Sequence, residues 1–133
     1  MHLAMKNISP TKPLVYIVED NNAYRVLLGR ILEKKGCMVM MFDNARKAVE
    51  MIGSVYPNLI VSDIQMPGMD GFELYNTIKR DYPRLNIPFV YISSTTDTEE
   101  IEMAKELSMR KMLGKPVHPD VLFNSIQEAL IAV

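Results

Sequence analysis

Five short apolar runs, separated by amphipathic stretches, constrain this chain more than any other feature of its sequence. Each run is continuously apolar rather than alternating, which is typical of β-strands that are covered on both faces. The runs span residues 14–18, 38–42, 59–62, 89–92 and 112–113. Because a helical stretch follows each run, the pattern predicts five βα units and a parallel sheet flanked by helices.

The stretches between the runs show helical spacing of apolar residues and recognisable ends. Leu28, Ile31 and Leu32 repeat at helical intervals in the first stretch, and Gly36 ends it. In the second stretch, either Asp43 or Asn44 is suited to cap the helix. The predicted helices cover residues 21–35, 44–52, 71–81, about 98–107, and a last segment that Pro119 opens.

Length and composition predict one domain with a substantial core. The 133 residues are 48% hydrophobic and carry a formal net charge of −1, which predicts neither a basic surface for nucleic acid nor an acidic tail. We expect residues 1–13 to form a flexible leader and residues 14–133 to form the domain. A single cysteine, no apolar run of about 18 residues and no signal-peptide pattern favour a cytoplasmic location.

Polar side chains follow four of the five apolar runs. Glu19 and Asp20 end the first run, Asp63 ends the third, Ser93 ends the fourth and Lys115 follows the fifth. In a parallel sheet these run ends lie along one edge, which is where ligands bind in open α/β folds. The five residues are therefore predicted to form one site.

Three carboxylates at one sheet edge need cations beside them. Two unit charges about 4 Å apart repel by about 4 kcal/mol at an effective dielectric constant of about 20. Lys115 supplies one positive charge, and the remaining negative charge suits a hard, oxygen-preferring ion such as Mg2+. No pair of His or Cys residues has the spacing of a zinc site. Such a set suits a phosphoryl group, with an aspartate as the nucleophile.

These residues resemble the receiver domain of two-component response regulators, within the chemotaxis-receiver-like superfamily. The resemblance covers the chain from about Leu14 to its end. It rests on four motifs in the family's order and at matching spacings: Glu19-Asp20, Asp63 with Met66-Pro67-Gly68-Met69-Asp70-Gly71, Ser93, and Lys115-Pro116. The resemblance implies a flavodoxin-like, doubly wound (βα)5 fold of three layers with strand order 2-1-3-4-5.

The resemblance also implies roles for individual residues. Asp63 is expected to accept a phosphoryl group from a sensor histidine kinase or from a small phosphodonor. Ser93 and Lys115 are expected to contact the phosphoryl oxygens, and the bond matching Lys115-Pro116 is usually cis in the family. The expected Mg2+ ligands are the side chains of Glu19, Asp20 and Asp63 and the backbone carbonyl of Gln65.

The switch of the family is altered in this chain. An aromatic residue usually stands three positions before the lysine and moves inward when the hydroxyl binds phosphate, whereas this chain has Met112. Ser93 and Met112 are the predicted switch residues, because methionine is flexible enough to fill such a gap. Ser94 replaces the small residue that usually follows the hydroxyl, and Gln65 and Thr95 are predicted to tune the lifetime of the phosphoryl group.

Two alternative functions stay open. Met112 and Ser94 are compatible with a pseudo-receiver that binds proteins without being phosphorylated. A small metal-dependent phosphatase could use the same acids, but the chain has little beyond the sheet with which to close over a substrate. The primary expectation is a signalling domain that catalyses only its own phosphorylation and dephosphorylation.

The predicted partners are proteins. A sensor histidine kinase or a phosphotransfer protein would supply the phosphoryl group. A downstream protein, or an output domain if the chain is a piece of a longer regulator, would bind the face formed by the fourth helix, the fifth strand and the last helix. A phosphorylation-linked dimer is a further option, and no direct contact with nucleic acid or membrane is expected.

Overall fold

The computed structural model describes residues 12–94, 102 and 110–131. Its strands are β1 (Leu14–Val18), β2 (Met38–Phe42), β3 (Leu59–Asp63), β4 (Phe89–Ser93) and β5 (Arg110–Gly114). Its helices within these residues include α1 (Asn22–Lys34), α2 (Ala45–Ile52), α3 (Gly71–Asp81) and a C-terminal helix (Pro119–Ile131). Most of the predicted leader and of the predicted fourth helix, together with Thr95, lies outside the described residues.

The strands form one parallel sheet in the order β2-β1-β3-β4-β5. This confirms the predicted doubly wound topology. The order reverses between β1 and β3, so the connections that leave these two strands run to opposite faces of the sheet. Their divergence opens a crevice at the carboxyl ends of the central strands, where this class of fold binds ligands.

Two separate apolar cores explain why the strands are continuously hydrophobic. Side chains alternate between the two faces of each strand. Tyr16, Ile60 and Phe89 face one core together with α2 and α3. Their sequence neighbours face the other core, which α1 and the C-terminal helix cover, and include Ile17 and Val90.

The edge strands depart from the expectation that every strand is covered on both faces. In β2, Met38 is 52% exposed and Met41 is 46% exposed, because β2 pairs on one side only. The strand β5 is also longer than residues 112–113. It begins at Arg110 and pairs with β4 from Phe89 onward. Its first residues are polar, so the hydrophobic pattern did not predict where the strand starts.

Side-chain caps determine where the helices begin. Asn21 accepts a hydrogen bond from the Tyr24 N–H at 2.8 Å at the start of α1. Asn44, rather than Asp43, caps α2 by accepting from the Lys47 N–H at 3.0 Å. A reciprocal pair formed by Asp70 and Glu73 opens α3. Each cap satisfies backbone donors that have no partner within the helix.

The start of α3 lies directly against the end of β3. The Gly71 N–H donates to the Ile64 carbonyl at 2.8 Å. A Cβ atom at position 71 would lie 2.5 Å from the Asp63 carbonyl oxygen and 3.0 Å from the Ile64 Cα. Three residues earlier, Gly68 has a φ of +80°, a conformation that glycine adopts without steric cost. This short connection therefore ties the position of Asp63 to the first turn of α3.

We expect Gly71→Ala to lower the free energy of unfolding by about 2 kcal/mol, because the added methyl group must displace backbone. Urea denaturation measures the effect. Gly114→Ala is the matched control, since a Cβ atom there meets nothing within 4 Å. Equal stability of the two variants would contradict the close approach of α3 to β3.

Candidate functional site

The predicted site residues meet at the carboxyl edge of the sheet. Glu19 follows β1 directly, Asp63 is the last residue of β3, Ser93 is the last residue of β4 and Lys115 follows β5. The register places Asp63 beside Ile92, and Ser93 beside Gly114. Parallel pairing therefore places polar groups from widely separated segments in one crevice.

Three carboxylates form an acidic cluster, which we define as Glu19, Asp20 and Asp63. One carboxylate oxygen from each residue lies within 4.8 Å of the others. Glu19 and Asp63 are buried, with 1% and 8% of their surface exposed, whereas Asp20 is exposed. Like charges at this separation repel, and burial strengthens the repulsion because water screens it less.

Lys115 partly balances the acidic cluster. Its Nζ lies 2.8 Å from Glu19 Oε1 and 3.1 Å from Asp63 Oδ2. Burial lowers the pKa of Lys115, but the hydrogen bonds and charges of Glu19 and Asp63 outweigh burial and hold the pKa above its ordinary value. The ammonium therefore stays charged and offsets one of the three carboxylates. The negative charge that remains, presented on oxygen ligands, fits a hard divalent cation.

The backbone of Glu19 is held from two sides. Its N–H donates to the Phe42 carbonyl at 3.1 Å, and its carbonyl accepts from Arg25 Nη1 at 2.8 Å. Its Oε2 accepts from the Asn21 N–H at 3.0 Å. These contacts keep a buried carboxylate in place despite its charged neighbours. Arg25 was not predicted from the sequence, although its position one turn into the helix after the acids was an available signal.

Backbone hydrogen bonds at Lys115 and Val117 hold the loop that carries the lysine. The Lys115 N–H donates to the Ser93 carbonyl at 2.8 Å, and the Lys115-Pro116 peptide is cis. The Val117 N–H donates to the hydroxyl of Tyr24 at 3.1 Å, and the Tyr24 ring centroid lies 4.9 Å from Lys115 Nζ. Tyr24 is a second residue of α1 that was not predicted from the sequence.

The other predicted residues have different surroundings. Ser93 is buried, with 2% of its surface exposed, whereas Gln65 is exposed in the connection between β3 and α3. Met112 is half-buried and lies opposite Tyr91 in the register of β4 and β5. The roles of Ser93, Gln65 and Met112 stay predictions, as does that of Thr95, which lies outside the described residues.

An aromatic and cationic cluster adjoins Met112. Tyr91 is fully buried, and its hydroxyl accepts from Arg110 Nη1 at 2.9 Å. The Arg110 guanidinium stacks 3.4 Å from the centroid of the Tyr75 ring. Burial raises the pKa of Tyr91, although the nearby Arg110 opposes this effect. Position 112 thus has no aromatic ring in this chain, but the ring of Tyr91 lies opposite it on the neighbouring strand β4.

Comparisons with known proteins agree with this fold. Residues 15–127 match the response regulator receiver domain family, and the chain therefore belongs to this family. Receiver domains are signalling domains of two-component systems rather than enzymes in the usual sense. The response regulator receiver protein CpdR of Brucella abortus (strain 2308) is 35% identical over 122 residues, which cover 89% of this chain and 97% of CpdR.

Other relatives are longer proteins. The DNA-binding transcriptional regulator NtrC of Escherichia coli (strain K12) is 30% identical over 117 residues, which cover 88% of this chain but 24% of NtrC. The chain thus spans about a quarter of that regulator. Among solved structures, a CheY-like response regulator receiver domain protein from Methanospirillum hungatei JF-1 matches with a TM-score of 0.80 at 25% identity, covering 90% of this chain and 94% of the other.

None of the helices in the described part of the chain combines the length and apolar character needed to cross a bilayer.

We expect Asp20→Asn to raise the free energy of unfolding by about 1 kcal/mol when divalent cations are removed with EDTA, because one repelling charge leaves the acidic cluster. Urea denaturation with and without Mg2+ measures this. With saturating Mg2+ the variant should gain less stability than the wild type, because it has lost a ligand.

Glu50→Gln is the control for Asp20→Asn, since Glu50 is an exposed acid on α2 outside the acidic cluster. If Glu50→Gln reproduced both effects, they would reflect net charge and not the acidic cluster.

Proposed function

We propose that this chain is the phosphoacceptor of a two-component phosphorelay, with Asp63 as the residue that is phosphorylated. The observation that carries the proposal is the buried Asp63 carboxylate, whose Oδ2 lies 3.1 Å from a charged lysine inside a cluster of three acids. Family membership supports the same assignment, since residues 15–127 match receiver domains.

The reaction needs little chemistry from the protein beyond positioning and charge. An oxygen of Asp63 attacks the phosphorus of a phosphohistidine on the donor. The phosphorus–nitrogen bond breaks, and the bonding electrons leave with the imidazole, which is protonated from solvent. An acyl phosphate on Asp63 results. Lys115 already contacts this carboxylate, so its ammonium is placed to stabilise negative charge on the transferred oxygens. The hydroxyl of Ser93 would donate to the same oxygens.

The acidic cluster fits Mg2+. The carboxylates of Glu19, Asp20 and Asp63, together with the backbone carbonyl of Gln65, would hold the ion. When bound, Mg2+ supplies positive charge that balances the phosphoryl oxygens. Lys115 contacts one oxygen of Glu19 and one of Asp63, so the ammonium and the ion would share these two carboxylates.

Phosphorylation would change a protein-binding surface through Ser93 and Met112. Movement of Ser93 at the end of β4 would be transmitted along the paired strand β5, where Met112 lies opposite Tyr91. The surface formed by the predicted fourth helix, β5 and the C-terminal helix would then bind a downstream protein, an output domain or a second copy of the chain. The donor would be a sensor histidine kinase or a phosphotransfer protein in the cytoplasm.

Met112 also favours a second candidate function. Because the usual aromatic is absent from β5, the chain could bind a partner constitutively, as a pseudo-receiver, with the Arg110–Tyr91 contact fixing β5 in one position. Partner affinity that is unaffected by phosphodonor, Mg2+ and Asp63→Asn would favour this function over the first.

We expect acetyl phosphate with Mg2+ to add one phosphoryl group to the wild-type chain and none to Asp63→Asn. Intact-protein mass spectrometry detects the adduct directly, which suits a chain without tryptophan. Asp81→Asn is the matched control, because Asp81 pairs with Arg80 at the C-terminal end of α3, away from the site. An adduct that survives Asp63→Asn would reject the assignment. If neither acetyl phosphate nor a panel of kinases produced an adduct, the pseudo-receiver would be the favoured function.

Gln65 and Thr95 are proposed to tune the lifetime of the phosphoryl group. Gln65 is exposed two residues after Asp63, where its side chain can affect the approach of water. We expect the double substitution Gln65→Ala and Thr95→Ala to change the dephosphorylation rate by about threefold, which is a barrier change of about 0.6 kcal/mol. The decay of the mass adduct after removal of donor measures the rate, and equal rates would discard the proposal.

A further inference from the structure

We infer that Tyr24 is a positioning residue that holds Lys115, and the loop after it, at the phosphorylation site. The inference rests on the proposed function, because Lys115 acts there on the phosphoryl group. Among the described contacts, Tyr24 makes none with the acidic cluster, which includes Asp63. It would therefore act through Lys115 and the loop that follows.

Two independent contacts link Tyr24 to the lysine loop. The ring centroid lies 4.9 Å from Lys115 Nζ, a distance at which an ammonium is attracted to the face of an aromatic ring. The hydroxyl accepts from the Val117 N–H at 3.1 Å, across 93 residues of sequence. One side chain therefore contacts both the charged end of Lys115 and the backbone two residues further on.

The loop depends on this hydrogen bond because its other backbone anchors lie at its ends. The Lys115 N–H is bonded to Ser93 at the end of β4, and the His118 carbonyl accepts from Leu122 in the C-terminal helix. Pro116 between them has no N–H to donate. Val117 is thus the point inside the loop where the backbone is fixed, and Tyr24 fixes it.

The ring also helps to determine where the lysine side chain lies. A lysine has many rotamers and only 20% of the Lys115 side chain is exposed, so ordering it in the crevice has an entropic cost. Glu19 and Asp63 attract its ammonium from one direction, and the Tyr24 ring is a further favourable contact. If a metal ion takes over part of the carboxylate charge, the ring contact remains to keep the ammonium near Asp63.

Tyr24 is itself held firmly enough to act in this way. It lies in the first turn of α1, and its N–H donates to the Asn21 side chain that caps the helix. The next residue, Arg25, holds the Glu19 carbonyl. The first turn of α1 therefore fixes the lysine through one residue and an acid of the cluster through the next.

The test compares Tyr24→Phe, which keeps the ring and removes the hydroxyl, with Tyr24→Leu, which removes both. With acetyl phosphate and saturating Mg2+, we expect Tyr24→Leu to slow formation of the mass adduct by about tenfold and Tyr24→Phe by about threefold. The Mg2+ dissociation constant should stay within about twofold of the wild-type value, because Tyr24 does not touch the proposed ligands. Tyr56→Leu and Tyr56→Phe are matched controls on a half-buried tyrosine outside the site, and we expect them to phosphorylate at the wild-type rate.

A double-mutant cycle shows whether Tyr24 acts through Lys115. In a Lys115→Met background, Tyr24→Leu should slow phosphorylation no further, because the group that it positions is already gone. Additive losses, or rates for both Tyr24 variants equal to the wild-type rate, would overturn the inference and leave the proposed function standing.

A spectroscopic readout does not require phosphorylation. In protein labelled with 13C-lysine, the side-chain methylene protons of Lys115 should show a ring-current shift. The Lys115 resonance is assigned as the one that disappears from the spectrum of Lys115→Met. Tyr24→Phe should keep this shift and Tyr24→Leu should lose it, whereas an unchanged resonance in Tyr24→Leu would overturn the inference. Absence of any adduct on the wild-type chain, with the ring-current behaviour as expected, would instead overturn the proposed function and with it the role in phosphorylation.

Discussion

The bridge that Lys115 makes between Glu19 and Asp63 is the interaction on which the site depends. One of the two buried carboxylates follows β1 and the other ends β3, and a single ammonium contacts both, at 2.8 and 3.1 Å. Without a cation, their mutual repulsion would destabilise the packing of the strand ends. The single ammonium of Lys115 therefore balances only part of the charge of the three acids.

This balance is possible only because the sheet holds the strand ends rigidly. The central strands β3 and β4 are buried along their lengths and β1 is buried from Val15 onward, and helices cover both faces of these strands. A packed interior resists adjustment, so the acids cannot move apart to relieve their repulsion. Gly71 adds a constraint from outside the sheet, since α3 approaches the Asp63 backbone too closely for any side chain. The packing free energy of the two apolar cores thus offsets the repulsion among the carboxylates at the carboxyl edge of the sheet.

The sequence predicted the parts of this arrangement that depend on local pattern. Apolar runs that end in Glu19, Asp63 and Ser93 gave the strand ends, and parallel pairing then required them to meet. The start of β5 was missed because Arg110 is polar, although its guanidinium stacks on Tyr75. Tyr24 was missed because its contact with Val117 joins residues 93 positions apart and depends on the packing of α1. Such contacts follow from the tertiary structure and leave no periodic signal.

The alternation of the central strands between two cores restricts how this chain can change in length. Tyr16 belongs to one core and Ile17 to the other. Inserting or deleting one residue within β1 would exchange the two sets, and each core would receive side chains shaped for the other. The same change would rotate the residue after the strand away from the crevice. Insertions are therefore compatible with the connections but not with the strands. The two-residue alternation that directs side chains into the two cores also determines which way the site residues at the strand ends face.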